Sequence, residues 1–370
     1  MKTLAVVGAS YLQKPLVLKA KELGLRVICF AWKDGAVCRE IADRFYPVSI
    51  IEKEKILDIC KKERIDGICT IASDTAAPTV AYVAGCMHLN GNSYESSQIA
   101  NDKYRMRLAF VDAGIRCPRF ESVKENHFDV SHWAFPLVVK PCDRSGSLGV
   151  TKVDTLKELE CALINAQALS FKHSAIVEEF IEGREISVEF ISFRGRHYPL
   201  TITDKVTTGE PHFVELEHHQ PASLTIEQVK LIYRTTEIAL NALGITDGAS
   251  HTEYRITGNG DIYIIELGAR MGGDFIGSHL VRLSTGYDFV RGVIDVAMGS
   301  FSKPYLSISK HSGVYFLCKE TERLLPVFDN LSQYPEIIDA EILNPCLQTV
   351  KCSADRNGYF IYQSDNRFVL

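Results

Sequence analysis

The sequence predicts a mixed α/β and α+β protein in three parts. Over the first 95 residues, short apolar runs alternate with helical spacing, the pattern of a parallel βαβ sheet. From 96 to 305, longer strands and amphipathic helices mix, with a hairpin signal near residue 259. From about 306 the chain turns β-rich. A length of 370 residues, 46% hydrophobic and 24% charged, supplies core for two or three domains.

In the first part, "TLAVV" at 3–7 is a buried strand and Gly8-Ala9-Ser10 turns the chain. "LQKPLVLKAKELG" follows with helical spacing to Gly24. "LRVICF" is the second strand, and "DGICTIASD" a later one ending at Ser73-Asp74. The domain at 1–95 is therefore Rossmann-like. Its turn carries one glycine rather than G-x-G-x-x-G, so it reads as a scaffold or a substrate wall, not a dinucleotide site.

In the second part, "SSQIANDKYRMRLAFVDAG" reads as one helix stopped by Gly114. "FPLVVKP" (135–141) is a strand bearing Lys140, followed by the glycine-serine loop "CDRSGSLGV". "SAIVEEFIEGREISVEFIS" (174–192) gives two strands broken at Glu182-Gly183. "IEQVKLIYRTTEIALNALG" (226–244) is a long amphipathic helix. Strands follow near 250–257 and 262–267. In the third part, "GVYFLC", "EIIDAEIL" and "GYFIYQS" read as strands of a small C-terminal module at 306–370.

Composition excludes several functions. The formal net charge is −5 and no stretch is strongly basic, which speaks against nucleic acid as a partner. The N-terminal apolar run is too short for a signal peptide, and no segment has 18 uninterrupted apolar residues, so no membrane partner is expected. Eleven cysteines without a C-x-x-C pair predict reduced, mostly buried thiols in a cytoplasmic protein.

The hairpin "HTEYRITGNGDIYIIEL" carries the sharpest chemistry. A two-residue I′ turn at Asn259-Gly260 sets Gly258 across from Asp261. Counting back from it places Glu253 opposite Glu266. Like charges on facing positions destabilise a sheet. A hard divalent cation, Mg²⁺ or Mn²⁺, relieves them and expects phosphate to complete its shell. The plain alternative is a solvent-facing pair, which the apolar flanks oppose.

A phosphate has candidate partners in Lys140 and in the loop Ser145, Gly146, Ser147 and Gly149, whose N–H groups can wrap an anion. No Walker A loop is present, and an ordinary surface loop is the alternative. The break at Glu182-Gly183 is expected to leave backbone groups of Glu179 to Ile181 unpaired at an edge, where an adenine could be read. Beyond Glu266, "LGARMGGDF" places Arg270 and Gly272-Gly273 together. Arg270 offers a fixed guanidinium fork for a phosphoryl or carboxyl oxygen. Gly272 and Gly273 allow close backbone approach, with N–H groups aimed at the same anion if 274–283 is helical. Asp274 caps that helix or binds a substrate amine. His251 shares a face with Glu253 and either approaches substrate or is structural. His218-His219 point to opposite faces of a strand and do not chelate one ion.

The order Lys103, Lys140, Gly-Ser loop, Glu178-Glu179-Phe180-Ile181, Glu185, Glu253, Glu266 and Arg270 resembles the ATP-grasp superfamily of carboxylate–amine ligases over most of the chain. Within it, "SHTEYRI…IIELGARMGGDFI…LVRLSTGYDFV" is most similar to the L-amino acid ligases that make dipeptides. The resemblance implies a preATP-grasp domain at 1–95 and an ATP-grasp domain at 96–305, with a lid at about 120–185. It implies ATP phosphates on Lys103, Lys140 and the 145–150 loop, adenine on Glu178 to Ile181, ribose on Glu185, and metal on Glu253 and Glu266. Arg270 and Gly273 would be catalytic; His251, Gly272 and Asp274 would face substrate.

The implied chemistry runs through an acyl phosphate. A carboxylate attacks the γ-phosphate of ATP, ADP leaves, and an amine displaces phosphate. Small-molecule carboxylate and amine substrates are the expected partners, and the oligomeric state, a homodimer included, stays open. One departure is clear: many relatives carry E-x-N-x-R with a metal-binding Asn, and here that position is Gly268. Two other readings remain: activation of bicarbonate or another carboxylate, and an ATP-binding module or kinase without ligase activity.

Overall fold

The computed structural model describes residues 1–124, 128–210 and 212–370. Residues 125–127, within the expected lid, and residue 211 lie outside the described residues. Three sheets organise the described residues. The first is four-stranded and parallel, in the order Arg44–Tyr46, Arg26–Phe30, Thr3–Val7, Gly67–Cys69. Its two central strands, Thr3–Val7 and Arg26–Phe30, are buried on both faces, which explains their continuous apolar runs. Leu4 and Val6 face helix Phe289–Ala297, whereas Ala5 and Val7 face helices Lys53–Glu63 and Ala77–Cys86. The first domain thus shares one core with a helix contributed more than 200 residues later.

The central sheet has eight antiparallel strands. In order they are Ile262–Gly268, Gly248–Ile256, Arg184–Phe193, Arg196–Thr207, Glu215–Gln220, His311–Leu317, Gly358–Ser364 and Ile337–Ile342. The three strands beyond residue 306 therefore extend the same sheet as the central strands. A third sheet, Phe120–Val123, Ala175–Glu179, Leu137–Pro141 and Thr151–Val153, packs on helix Leu156–Leu169. Among the described residues, no helix is long and apolar enough to cross a membrane.

Two expectations need correction. The single helix over 96–114 is two helices, Tyr94–Ala100 and Lys103–Asp112. Asp102 breaks it: its side chain accepts from the Arg105 N–H and caps the second helix. The hairpin turn is also longer than expected. Gly260 donates to the Thr257 carbonyl and Thr257 donates to the Asp261 carbonyl, leaving a three-residue loop with Gly260 at φ +89°. That loop moves the register by one, giving Tyr254 opposite Ile264. A bulge at Ile265 then moves it back, and Glu253 does face Glu266.

All eleven cysteines are free thiols, six of them buried.

Candidate active site

A cavity of about 390 Å³ opens where the three sheets approach one another. The Gly-Ser loop, the Glu178–Ile181 segment, the Glu253–Glu266 ladder and the Arg270–Asp274 loop all line it. Lys103, Lys140, Glu185 and His251 line it too.

The loop between Pro141 and Thr151 is shaped for an anion. Gly146, Ser147 and Gly149 hold φ of +65°, +56° and +75°. The N–H groups of Ser145, Gly146, Ser147, Leu148 and Gly149 have no hydrogen-bond partner among the described residues. Successive N–H groups left free in such a turn form an anion-binding nest. A Cβ on Gly149 would stand 2.7 Å from Leu169 Cδ1 and 3.0 Å from Pro141 Cγ, so glycine is needed there for space as well as for φ.

At the strand break, the expected free edge narrows to one donor. The Glu179 N–H goes to the Arg119 carbonyl (3.0 Å) and the Phe180 N–H to that of Pro136 (3.3 Å). Only the Ile181 N–H lacks a partner among the described residues, and its carbonyl accepts from Arg255 (3.0 Å). The neighbouring rings of Phe180 and Phe213 lie 6.3 Å apart. The Glu178 carboxylate is a buried counter-ion instead, held by Arg107 (2.8 Å) and Lys140 (2.6 Å). Burial opposes its ionisation, but Arg107 and Lys140 win and keep its pKa low. Glu185 sits between Lys205 (3.1 Å) and Arg255 (3.3 Å).

The paired carboxylates are each met by a lysine. Lys103 Nζ donates to Glu266 Oε1 at 2.7 Å and to the Arg144 carbonyl at 2.8 Å. Lys205 Nζ, 3% exposed, donates to Glu253 Oε1 at 2.7 Å and also reaches Glu185 and Glu215. Burial works against the Lys205 charge, yet the three carboxylates raise its pKa well above that of a free lysine. Glu253 is likewise held ionised against burial by Lys205 and His251. The Oε2 atoms of both glutamates carry no hydrogen bond among the described residues. Among those residues no cluster of three or more metal-ligating side chains exists. The donor set therefore fits an ion shared between two carboxylates and a phosphate ligand, not a protein cage.

His251 is wedged between carboxylates. Its Nδ1 is bonded to the fully buried Glu189, and its Nε2 lies 3.4 Å from Glu253. Burial would lower its pKa; Glu189 overrides this and raises it to about 9.

The stretch after Glu266 differs most from expectation. Arg270 does not offer a free fork: Nε and Nη2 grip Asp74 Oδ1 and Oδ2, both at 2.7 Å. The Gly272 N–H points not at an anion site but at Glu189 Oε2 (3.1 Å). Gly273 lines the cavity. Asp274 caps no helix. It sits at φ +47° and pairs bidentately with Arg356 at 2.8 and 2.9 Å. A π-helical turn, Ile276–Leu280, follows with Phe275 before it. His218 and His219 diverge as expected: His218 Nε2 is 4.0 Å from Asp274, while His219 bonds Tyr362 and Glu217.

Sequence reasoning missed Asp74, Glu189 and Lys205. Asp74 had a signal, since ligands in parallel α/β sheets gather beyond the carboxyl ends of strands. Lys205 had one as well, a lone lysine amid the buried strand "LTITDKV".

Residues 133–278 match the ATP-grasp domain family. The chain is 26% identical over 302 residues to the alanine–anticapsin ligase of Bacillus subtilis strain 168, covering 71% of this chain and 64% of that protein's length. It superimposes on an L-amino acid ligase from Bacillus licheniformis with TM-score 0.81, at 24% identity over 99% of this chain and 94% of that one. N5-carboxyaminoimidazole synthetase from Staphylococcus aureus, complexed with ADP, matches at TM-score 0.79 and 16% identity, covering 99% and 94%. Residues 133–278 thus carry the ATP-grasp domain match, and over nearly its whole length the chain has the fold of the L-amino acid ligase.

Proposed function

We propose that the protein is an ATP-dependent ligase that joins the carboxylate of an amino acid to an amine through an acyl phosphate, releasing ADP and phosphate. The observation that carries this reading is the convergence in one cavity of the anion nest at 145–149, the Ile181 N–H, the facing Glu253 and Glu266, and Arg270. Likeness to ligases for amino acids supports the choice of substrate class.

In this reading the nest and Lys140 hold the nucleotide phosphates, Ile181 reads the adenine, and Glu185 holds the ribose. Glu253 and Glu266 would hold Mg²⁺ or Mn²⁺, which supplies charge neutralisation at the phosphates. The protein's own task is to orient anionic reactants and stabilise developing charge. Lys103, between Glu266 and the Gly-Ser loop, joins the metal side to the phosphate side.

Phosphate release from Mg-ATP, measured against amino acids singly and in pairs, tests the reading. Release that needs two amino acids supports it. Release with bicarbonate alone, or bound ATP with no stimulated release, overturns it.

A further inference from the structure

Two loops from distant parts of the chain meet at the cavity floor. Ala72 donates its N–H to the Met271 carbonyl (3.1 Å) and does so at φ +55°, a left-handed value uncommon for alanine. A Cβ on Gly273 would rest 3.5 Å from the Ala72 side chain. The Ile71 carbonyl is held by Gln13 Nε2 (2.8 Å) and the Asp74 carbonyl by Asn101 Nδ2 (2.7 Å). The 71–74 loop is thus fixed from several sides, and its strained residue lies next to the reaction centre.

The space that Asp74 fills is the space a side chain at 268 would need. A Cβ on Gly268 would stand 2.6 Å from Asp74 Oδ1 and 3.2 Å from Arg270 Nε. Asp74 and any side chain at 268 therefore exclude one another. Arg270 spends Nε and Nη2 on Asp74, leaving Nη1, 3.4 Å from the Met271 carbonyl, without a carboxylate partner among the described residues. Burial disfavours the Asp74 charge, but Arg270 keeps the carboxylate ionised.

We propose that Asp74 is a positioning residue of the ligation reaction: reaching in from the first domain, it fills the space that a side chain at 268 would need and fixes the plane of the Arg270 guanidinium. The inference rests on the ligase reading. It also makes the first domain a working part of the site, because Arg270 is aimed only while that domain is docked. An arginine held by a fork-to-fork pair keeps one orientation, which the transfer step requires.

Three variants of the full chain test this: Asp74→Asn, Gly268→Asn, and the double variant Asp74→Ala with Gly268→Asn. The readouts are kcat and KM for amino-acid-dependent phosphate release, ATP Kd by calorimetry, and Tm. Asp74→Asn is expected to lower kcat about tenfold or more while ATP Kd stays within about twofold. Gly268→Asn lowers both Tm and kcat, and removing Asp74 in the double variant recovers both above Gly268→Asn alone. A purely structural Asp74 would change Tm and leave kcat per folded molecule untouched, which overturns the proposal. So does a Gly268→Asn protein with wild-type Tm and turnover, or a double variant no better than Gly268→Asn. If the wild type binds ATP but ligates no pair, the ligase reading falls. The order of the three Tm values then still decides whether Asp74 holds the 268 space.

Discussion

Glu253 and Glu266 face each other across the antiparallel ladder, and each is neutralised by a lysine from a different element: Lys205 on Glu253, Lys103 on Glu266, both at 2.7 Å. Two carboxylates in that relation cannot both remain charged in a semi-buried site without cations. The lysines supply that charge to Oε1 of each residue and leave Oε2 without a hydrogen bond among the described residues. Divalent cation and nucleotide phosphate would enter on that uncommitted side.

On the proposed reading, replacing one carboxylate would weaken the ion's hold without removing the nucleotide site. Glu266→Gln is expected to weaken Mn²⁺ binding in the presence of ADP by about tenfold or more. Mn²⁺ titration followed by electron paramagnetic resonance measures this, and unchanged affinity would remove Glu266 from the metal site.

Lys205 holds three carboxylates at once, and its removal leaves buried negative charge unpaired. Lys205→Met should cost about 3–5 kcal/mol in chemical denaturation. Adding Mg²⁺ with ADP should recover part of that loss, since the ion supplies charge beside Glu253. A loss below about 1 kcal/mol would show that the pairing is dispensable.

Gly149 separates shape from charge in the proposed phosphate loop. Gly149→Ala places a Cβ against Leu169 and Pro141 at φ +75°, a strain of about 1–3 kcal/mol. ATP Kd should rise roughly tenfold with the cavity charges unchanged. Calorimetric titration with ATP checks this, and wild-type affinity would place the phosphates elsewhere.

Asp274 couples the site to the C-terminal strands through Arg356. Burial opposes its ionisation, but Arg356 and then His218 hold its pKa below the usual carboxylate value. A depressed folded pKa contributes stability that is present above the unfolded value, near 3.9, and is lost as pH falls through the folded value. Wild type minus Asp274→Asn should thus show a stability difference that is constant at neutral pH and shrinks below about pH 4. A difference independent of pH down to acid unfolding would contradict the pairing.

Local pattern in the sequence was enough for the element types, the ATP-grasp order of motifs and the facing of Glu253 with Glu266. A strand's two-residue side-chain period assigns each residue to a face, and turn residues anchor the count. Even there, the turn length and the Ile265 bulge were each missed, and the two errors cancelled because each moves the register by one residue. The Asp102 cap inside 96–114 was missed because helical spacing runs on through it. Only the tertiary structure decided which cation meets which anion: Asp74 on Arg270, 196 residues away, Lys205 among Glu185, Glu215 and Glu253, and Arg356 on Asp274. Such pairings depend on strand order and on how loops from separate sheets converge, and no local periodicity encodes that. Gly268 shows the division most plainly: the sequence has a glycine where the resembling family carries Asn, and the fold alone puts Asp74 Oδ1 2.6 Å from where a Cβ at 268 would stand.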